Sequence, residues 1–129
     1  MNNFKLRKHS VKEASFIENR EKEKKNNVEI SVEGGILIPK DFENSKYLAV
    51  QLKFSFGNPE ERLYLILETL STFEIEREGE NIEISEEGVR AVCLPVALAE
   101  LRKTVKKVTE AYGIAVLDLP PFEEETIEK

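Results

Sequence analysis

One cysteine and one histidine in 129 residues leave little room for several kinds of chemistry. A single thiol, Cys93, excludes a disulfide within the chain and points to neither a cross-linked secreted scaffold nor a zinc centre. Set among Val92, Leu94 and Val96, it reads as a small core residue rather than a nucleophile. His9 lies among Arg7, Lys8 and Lys12, with no cysteine or carboxylate at ligand spacing, and reads as a solvated strand residue. No glycine-rich phosphate loop is present, because Gly34-Gly35 lacks the strand-to-helix setting that such a loop needs. No apolar run approaches the roughly 18 residues of a membrane span, and the start MNNFKLRKHS lacks the apolar centre of a signal peptide. There is no internal repeat. The expectation is a soluble cytoplasmic protein with one domain over residues 1–129, flexible at 1–3 and 123–129, and without metal or cofactor.

Charge and apolar surface are what the chain has in quantity. Charged residues make up 34% and the net charge is −6, which argues against nucleic acid as a partner. The hydrophobic fraction of 40% suffices for a core in a chain of this length. The glutamates show no pairing that suggests acid–base catalysis.

The residue pattern predicts four strands and then a helix. Phe4 to Glu18 has β character with imperfect alternation: Phe4 and Leu6, then Val11, Ala14 and Phe16. The polar run NREKEKKNN at 19–27 is an exposed connection. Val28, Ile30 and Val32 alternate with polar residues and form a short strand that Gly34-Gly35 ends. Residues 36–46 cross to Tyr47–Phe56, where Leu48, Val50, Leu52, Phe54 and Phe56 share one face. Gly57-Asn58-Pro59 turns the chain into Arg62–Ile75, and residues 78–81 turn it again. Within that fourth strand LYLIL is apolar on both faces, which implies cover on both sides. Ser85 is placed to cap a helix whose Leu94, Leu98, Leu101, Val105, Val108 and Tyr112 form one stripe. Arg102, Lys103, Lys106 and Lys107 make a basic face, read first as solvated and second as an acidic partner's site. Pro95 predicts a break or kink, and Gly113 the C-terminal stop. The apolar segment IAVLDLPPF must lie against something, and EEETIEK should be solvated. The fold class is α+β: a four-stranded antiparallel sheet with a long kinked C-terminal helix on one face.

This leaves more apolar surface than one sheet and one helix consume. An oligomer interface and a groove for apolar polypeptide both account for it.

On these residues the chain resembles the SecB family of export chaperones. The first strand carries Lys12-Glu13-Ala14-Ser15-Phe16, which is similar to the family's opening-strand element. FSFGNPEERLYLILETLSTFEI matches its strand–turn–strand, and the proline-containing helix that ends at Gly113 and runs into Leu-Pro-Pro-Phe matches its C-terminal half. The resemblance covers most of Phe4–Phe122 and implies a homotetramer, a dimer of dimers, whose apolar grooves hold unfolded polypeptide clients without ATP. It assigns a client groove to Val28, Ile30 and Val32 with Leu63, Leu65 and Leu67. Leu98, Leu101, Val105 and Val108 go to the helix core and oligomer interface. Glu13 and Glu68 go to a site for the translocation ATPase SecA, Glu68 lying two residues beyond Ile66, which falls at the family's acidic position. Some divergent SecB-like proteins are chaperones of antitoxins, and that alternative stays open. Two other classes remain beside the chaperone: a homo-oligomeric structural or adaptor protein, and a small-ligand or enzymatic domain. The last would need a polar constellation inside a pocket, which the sequence does not offer.

Overall fold

The computed structural model describes residues 3–19, 21–22, 30–37, 45–60, 62–76, 86–113 and 127–128. Four antiparallel strands carry the fold: β1 (Asn3–Glu18), β2 (Ile30–Leu37), β3 (Tyr47–Gly57) and β4 (Leu63–Glu76). One helix comes next, α1 (Glu86–Ala111), and then a two-residue strand, β5 (Ile127–Glu128). The sheet order is β1-β4-β3-β2-β5, with β5 parallel to β2. Val28, most of the polar run, Pro39, residues 78–81, Ser85 and the apolar segment 114–122 lie outside the described residues.

The imperfect alternation of β1 has a structural cause. Its register with β4 slips between Leu6 and Lys8 and again between Val11 and Glu13. Each slip is a bulge that inserts one residue and flips the parity of the residues after it. Phe4 and Leu6, then His9 and Val11, then Ala14 and Phe16 are thereby brought to one face. That face also holds the buried Leu48, Val50, Leu52 and Phe54 of β3 and Leu65, Leu67 and Phe73 of β4. The helix lies over it.

The first bulge corrects the expectation for His9. Its parity turns the ring under α1 instead of into solvent. His9 Nδ1 lies 2.8 Å from Ser71 Oγ on β4, and Nε2 lies 2.9 Å from Thr104 Oγ1 on the helix. Thr104 already donates its proton to the Glu100 carbonyl at 2.8 Å, so its oxygen accepts from Nε2–H, and Nδ1 accepts from Ser71. One imidazole thus ties β1, β4 and α1 together.

Further expectations change. β2 does not stop at Gly34-Gly35 but runs through both to Leu37, in unbroken register with β3. Gly34 is required there: a Cβ would stand 2.2 Å from the Gln51 carbonyl oxygen and 2.8 Å from Leu52 Cδ2. Gly35 has open space around it. The helix passes Pro95 without a break. Pro95 and Ala91, whose carbonyl loses its partner, are both on the exposed side, where water can serve that carbonyl. Gly113 ends the helix with φ of 74°, as the sequence predicts. Ile127 and Glu128, in a segment expected to be solvated, pair with Val32 and Glu33.

The contrast between the two glycines is measurable. Gly34→Ala should destabilise the protein by about 1–3 kcal/mol through forced backbone displacement. Gly35→Ala should be neutral, or stabilising by up to about 1 kcal/mol through lower unfolded-state entropy; urea melts of the two variants check both. His9 gives a pH dependence. Desolvation lowers its pKa from 6.5, Glu100 opposing this and Lys107 adding to it. The folded state then binds fewer protons than the unfolded one, so stability falls as pH drops through and below 6.5. The urea midpoint should fall more for the native protein than for His9→Gln between neutral and mildly acidic pH.

Candidate functional site

Register sorts the doubly apolar β4 into two faces. Leu63, Leu65 and Leu67 point toward α1, and Tyr64, Ile66 and Leu70 point away. The predicted groove set therefore divides. Val32, Leu65 and Leu67 are at most 1% exposed and belong to the protomer's own core. Their sequence pattern is compatible with either face; pairing with Phe54, which is sealed beneath the helix, decides it. Leu63 is half-buried at the start of β4, and Ile30 is exposed at the start of β2. Val28 lies outside the described residues.

The helix divides in the same way. Leu98, Leu101 and Val105 are buried against the sheet and Val108 is half-buried, with Val89, Cys93, Ala97 and Thr109 sharing the inward side. Phe16 stacks on Tyr112 at 5.0 Å, fixing the helix end over β1. The outward side of the first half carries Ala91, Val92, Pro95, Val96 and Ala99, all exposed. In its second half Lys103, Lys106 and Lys107 are exposed instead.

Among the described residues, two apolar surfaces thus have no second layer packed on them. One is the outward face of α1 from Ala91 to Ala99. The other is the sheet face opposite the helix, with half-buried Tyr64, Ile66 and Leu70 and the exposed Ile17 and Tyr47. Sequence reasoning missed these residues, although the both-sided apolarity of LYLIL was their signal.

Glu13 and Glu68 come together on that open sheet face as direct register partners. Like charges directly opposite repel. Glu68 is held by a hydrogen bond from the Gln51 side-chain amide, and Lys53 is its register partner on β3. Glu13 is exposed. Beside them a shallow depression lies over Gly35, between Leu37 and Gln51.

The reactive side chains are poorly placed for chemistry. Burial pushes the Cys93 thiol up to about 12, so it is protonated at neutral pH. The Ser71–His9 pair has the contact distance of a nucleophile and its base, but Ser71 is 1% exposed beneath the helix. Among the described residues no group of His, Cys, Asp and Glu is arranged to hold a metal, and no helix is long and apolar enough to cross a membrane.

Neither a protein-family model nor a curated protein matches the sequence. Solved structures do. The Rv1957 SecB-like chaperone of Mycobacterium tuberculosis, in complex with a ChAD peptide from the Rv1956 HigA1 antitoxin, superposes with a TM-score of 0.70. The alignment covers 93% of this chain and 90% of that one at 14% identity. A protein of unknown function from Streptococcus agalactiae aligns over 93% of this chain and 98% of its own at 17% identity, with a TM-score of 0.44. The fold is SecB-like.

The assignment of faces is open to direct test. Leu65→Ala should cost about 2–5 kcal/mol, as for other core truncations. Ile66→Ala, one residue away but on the open face, should cost under about 1.5 kcal/mol, since Ile66 is half-buried and not sealed in the core. Equal losses in urea denaturation would contradict this division of the two faces.

Proposed function

We propose that this protein is an ATP-independent chaperone that holds non-native polypeptide. The observation that carries the reading is the SecB-like fold with apolar surface left open on both of its layers. Each large client side chain buried on such a surface contributes about 1.5–3 kcal/mol before the cost of ordering the client. Several sites on an assembly then hold one long chain by avidity. A folded client hides its apolar segments, so selectivity needs no sequence reading. Catalysis has no part in this function.

Assembly is part of the proposal. The outward stripe Ala91–Ala99 of α1 is a self-association surface for a homotetramer built as a dimer of dimers. Ile30 and Leu63, at the rim of the helix-covered face, are the members of the predicted groove that a client reaches without displacing α1. Val32, Leu65 and Leu67 support them from beneath.

Two clienteles are compatible with this chemistry. One is secretory precursor handed to SecA, for which Glu13 and Glu68 supply an acidic contact on the open sheet face; a basic partner would relieve their mutual repulsion. The other is an antitoxin, favoured by the peptide carried by the similar mycobacterial chaperone. The antitoxin reading needs no SecA contact, and replacement of the acidic position by Ile66 agrees with it.

The test is calorimetric titration with a secretory precursor held unfolded by a slow-folding mutation, its folded form as control, with light scattering for the assembly mass. Submicromolar binding of the unfolded form alone by a tetramer is expected. Binding of neither form would limit the open surface to assembly or to one dedicated client, and titration with an antitoxin-derived peptide separates those two.

A further inference from the structure

The two edges of the sheet differ in kind. β1 carries two bulges, and Lys5, Arg7, Lys8 and Lys12 along it are exposed. Bulges and lysines are the features that keep another strand from adding to an edge. β2 has neither. Its register with β3 is continuous from Ile30 to Leu37, Glu33 is its one charged residue, and Gly34-Gly35 present bare backbone. An edge of this kind accepts an extended segment through main-chain hydrogen bonds.

β2 already holds one. Ile127 and Glu128 lie parallel to it, opposite Val32 and Glu33. Two ladder positions are few, and among the described residues Gly34 to Leu37 have no partner on that side. The pairing is intramolecular, joined to α1 through residues 114–126, so a weak contact is sustained by an effective concentration on the order of millimolar.

We propose that an extended client segment adds to the β2 edge, parallel to β2, and that residues 127–128 occupy this edge as a placeholder which the client displaces. This rests on the holdase reading. A client strand pairing along the whole of β2 gains ladder positions that the short β5 does not use. Its alternate side chains come beside Ile30 and Ile36 on the helix side, and beside Leu37 on the other. The placeholder shields an aggregation-prone edge while no client is present and weakens client affinity by the fraction of time that it is bound.

The test uses the full chain and the double variant I127P/E128P, which removes two backbone N–H donors and leaves the core untouched. Reduced, carboxymethylated α-lactalbumin serves as a permanently unfolded probe. Fluorescence anisotropy gives affinity, and hydrogen exchange reports the amides of Val32 to Gly34. The variant should lose protection at those amides without client and bind the probe about three- to tenfold more tightly. A synthetic EEETIEK peptide at millimolar concentration should reverse part of that gain. Unequal exchange with equal affinity would show that clients bind elsewhere, which overturns the inference and leaves the holdase reading standing. Equal exchange would show that the edge is not held by this segment and overturns it likewise. Failure of both proteins to bind the probe removes the holdase reading and this inference with it.

Discussion

A single helix lies over one face of a sheet that is apolar on both. The contact between the inward stripe of α1 and the middle strands sets the rest of the structure. At about 1.5 Å per residue, the 26 residues of α1 make a rod about 39 Å long that packs on β1, β3 and β4. Leu94, Leu98, Leu101 and Val105 are buried there with Leu52, Phe54, Leu65 and Leu67. The cover is one-sided, so burial alternates along β4 without exception from Leu65 to Glu76. The same contact turns Ala91 to Ala99 outward and leaves Tyr64, Ile66 and Leu70 without cover from the protomer's helix.

Much of this is legible in the residues. Strand order along the chain, the helix with its stripe, and the Gly113 stop all come from periodicity and local chemistry. The spacing of apolar residues in β1 even contains its two bulges, since the odd steps from Leu6 to Val11 and from Val11 to Ala14 are what one-residue insertions leave. In the sequence alone those steps are indistinguishable from weak patterning, and the side on which His9 falls is lost with them. Gly34-Gly35 misleads for a different reason. Glycine ends strands by conformational freedom, but it also permits close backbone approach, and the need for space at Gln51 and Leu52 is a tertiary fact. The candidate site is half legible. That β4 needs cover on both sides can be read from LYLIL; which side receives the helix depends on cross-strand register with Phe54, which no local pattern fixes.

His9 shows how the covered face tolerates polar groups. Ser71 is buried, yet it has a partner because the bulge delivers an imidazole to it, and Thr104 closes the chain of bonds back to the helix carbonyl of Glu100. A neutral ring suits this position, because the cost of desolvating a charged one between two hydroxyls outweighs the opposing attraction of Glu100. The first bulge is thus a positioning device, and the second reverses its parity change, returning Phe16 to the helix side for its stack on Tyr112.

The distribution of charge bears on how such a protein handles its open surfaces. An exposed apolar face invites self-association as readily as it invites a client. On the helix the outward side changes from apolar to cationic at about Lys103, so its exposed apolar stripe is confined to the first half of α1. On the open sheet face, Glu13 and Glu68 stand across from each other beside Ile66. A second copy stacked face to face would bring four carboxylates together, a net cost in any low-dielectric contact. A basic or unfolded partner carries no such penalty. The two surfaces are therefore unequal: the helix stripe suits copies of this chain, and the sheet face disfavours them. On the proposed function, that asymmetry lets an assembly form through one layer while the other remains open to a different polypeptide.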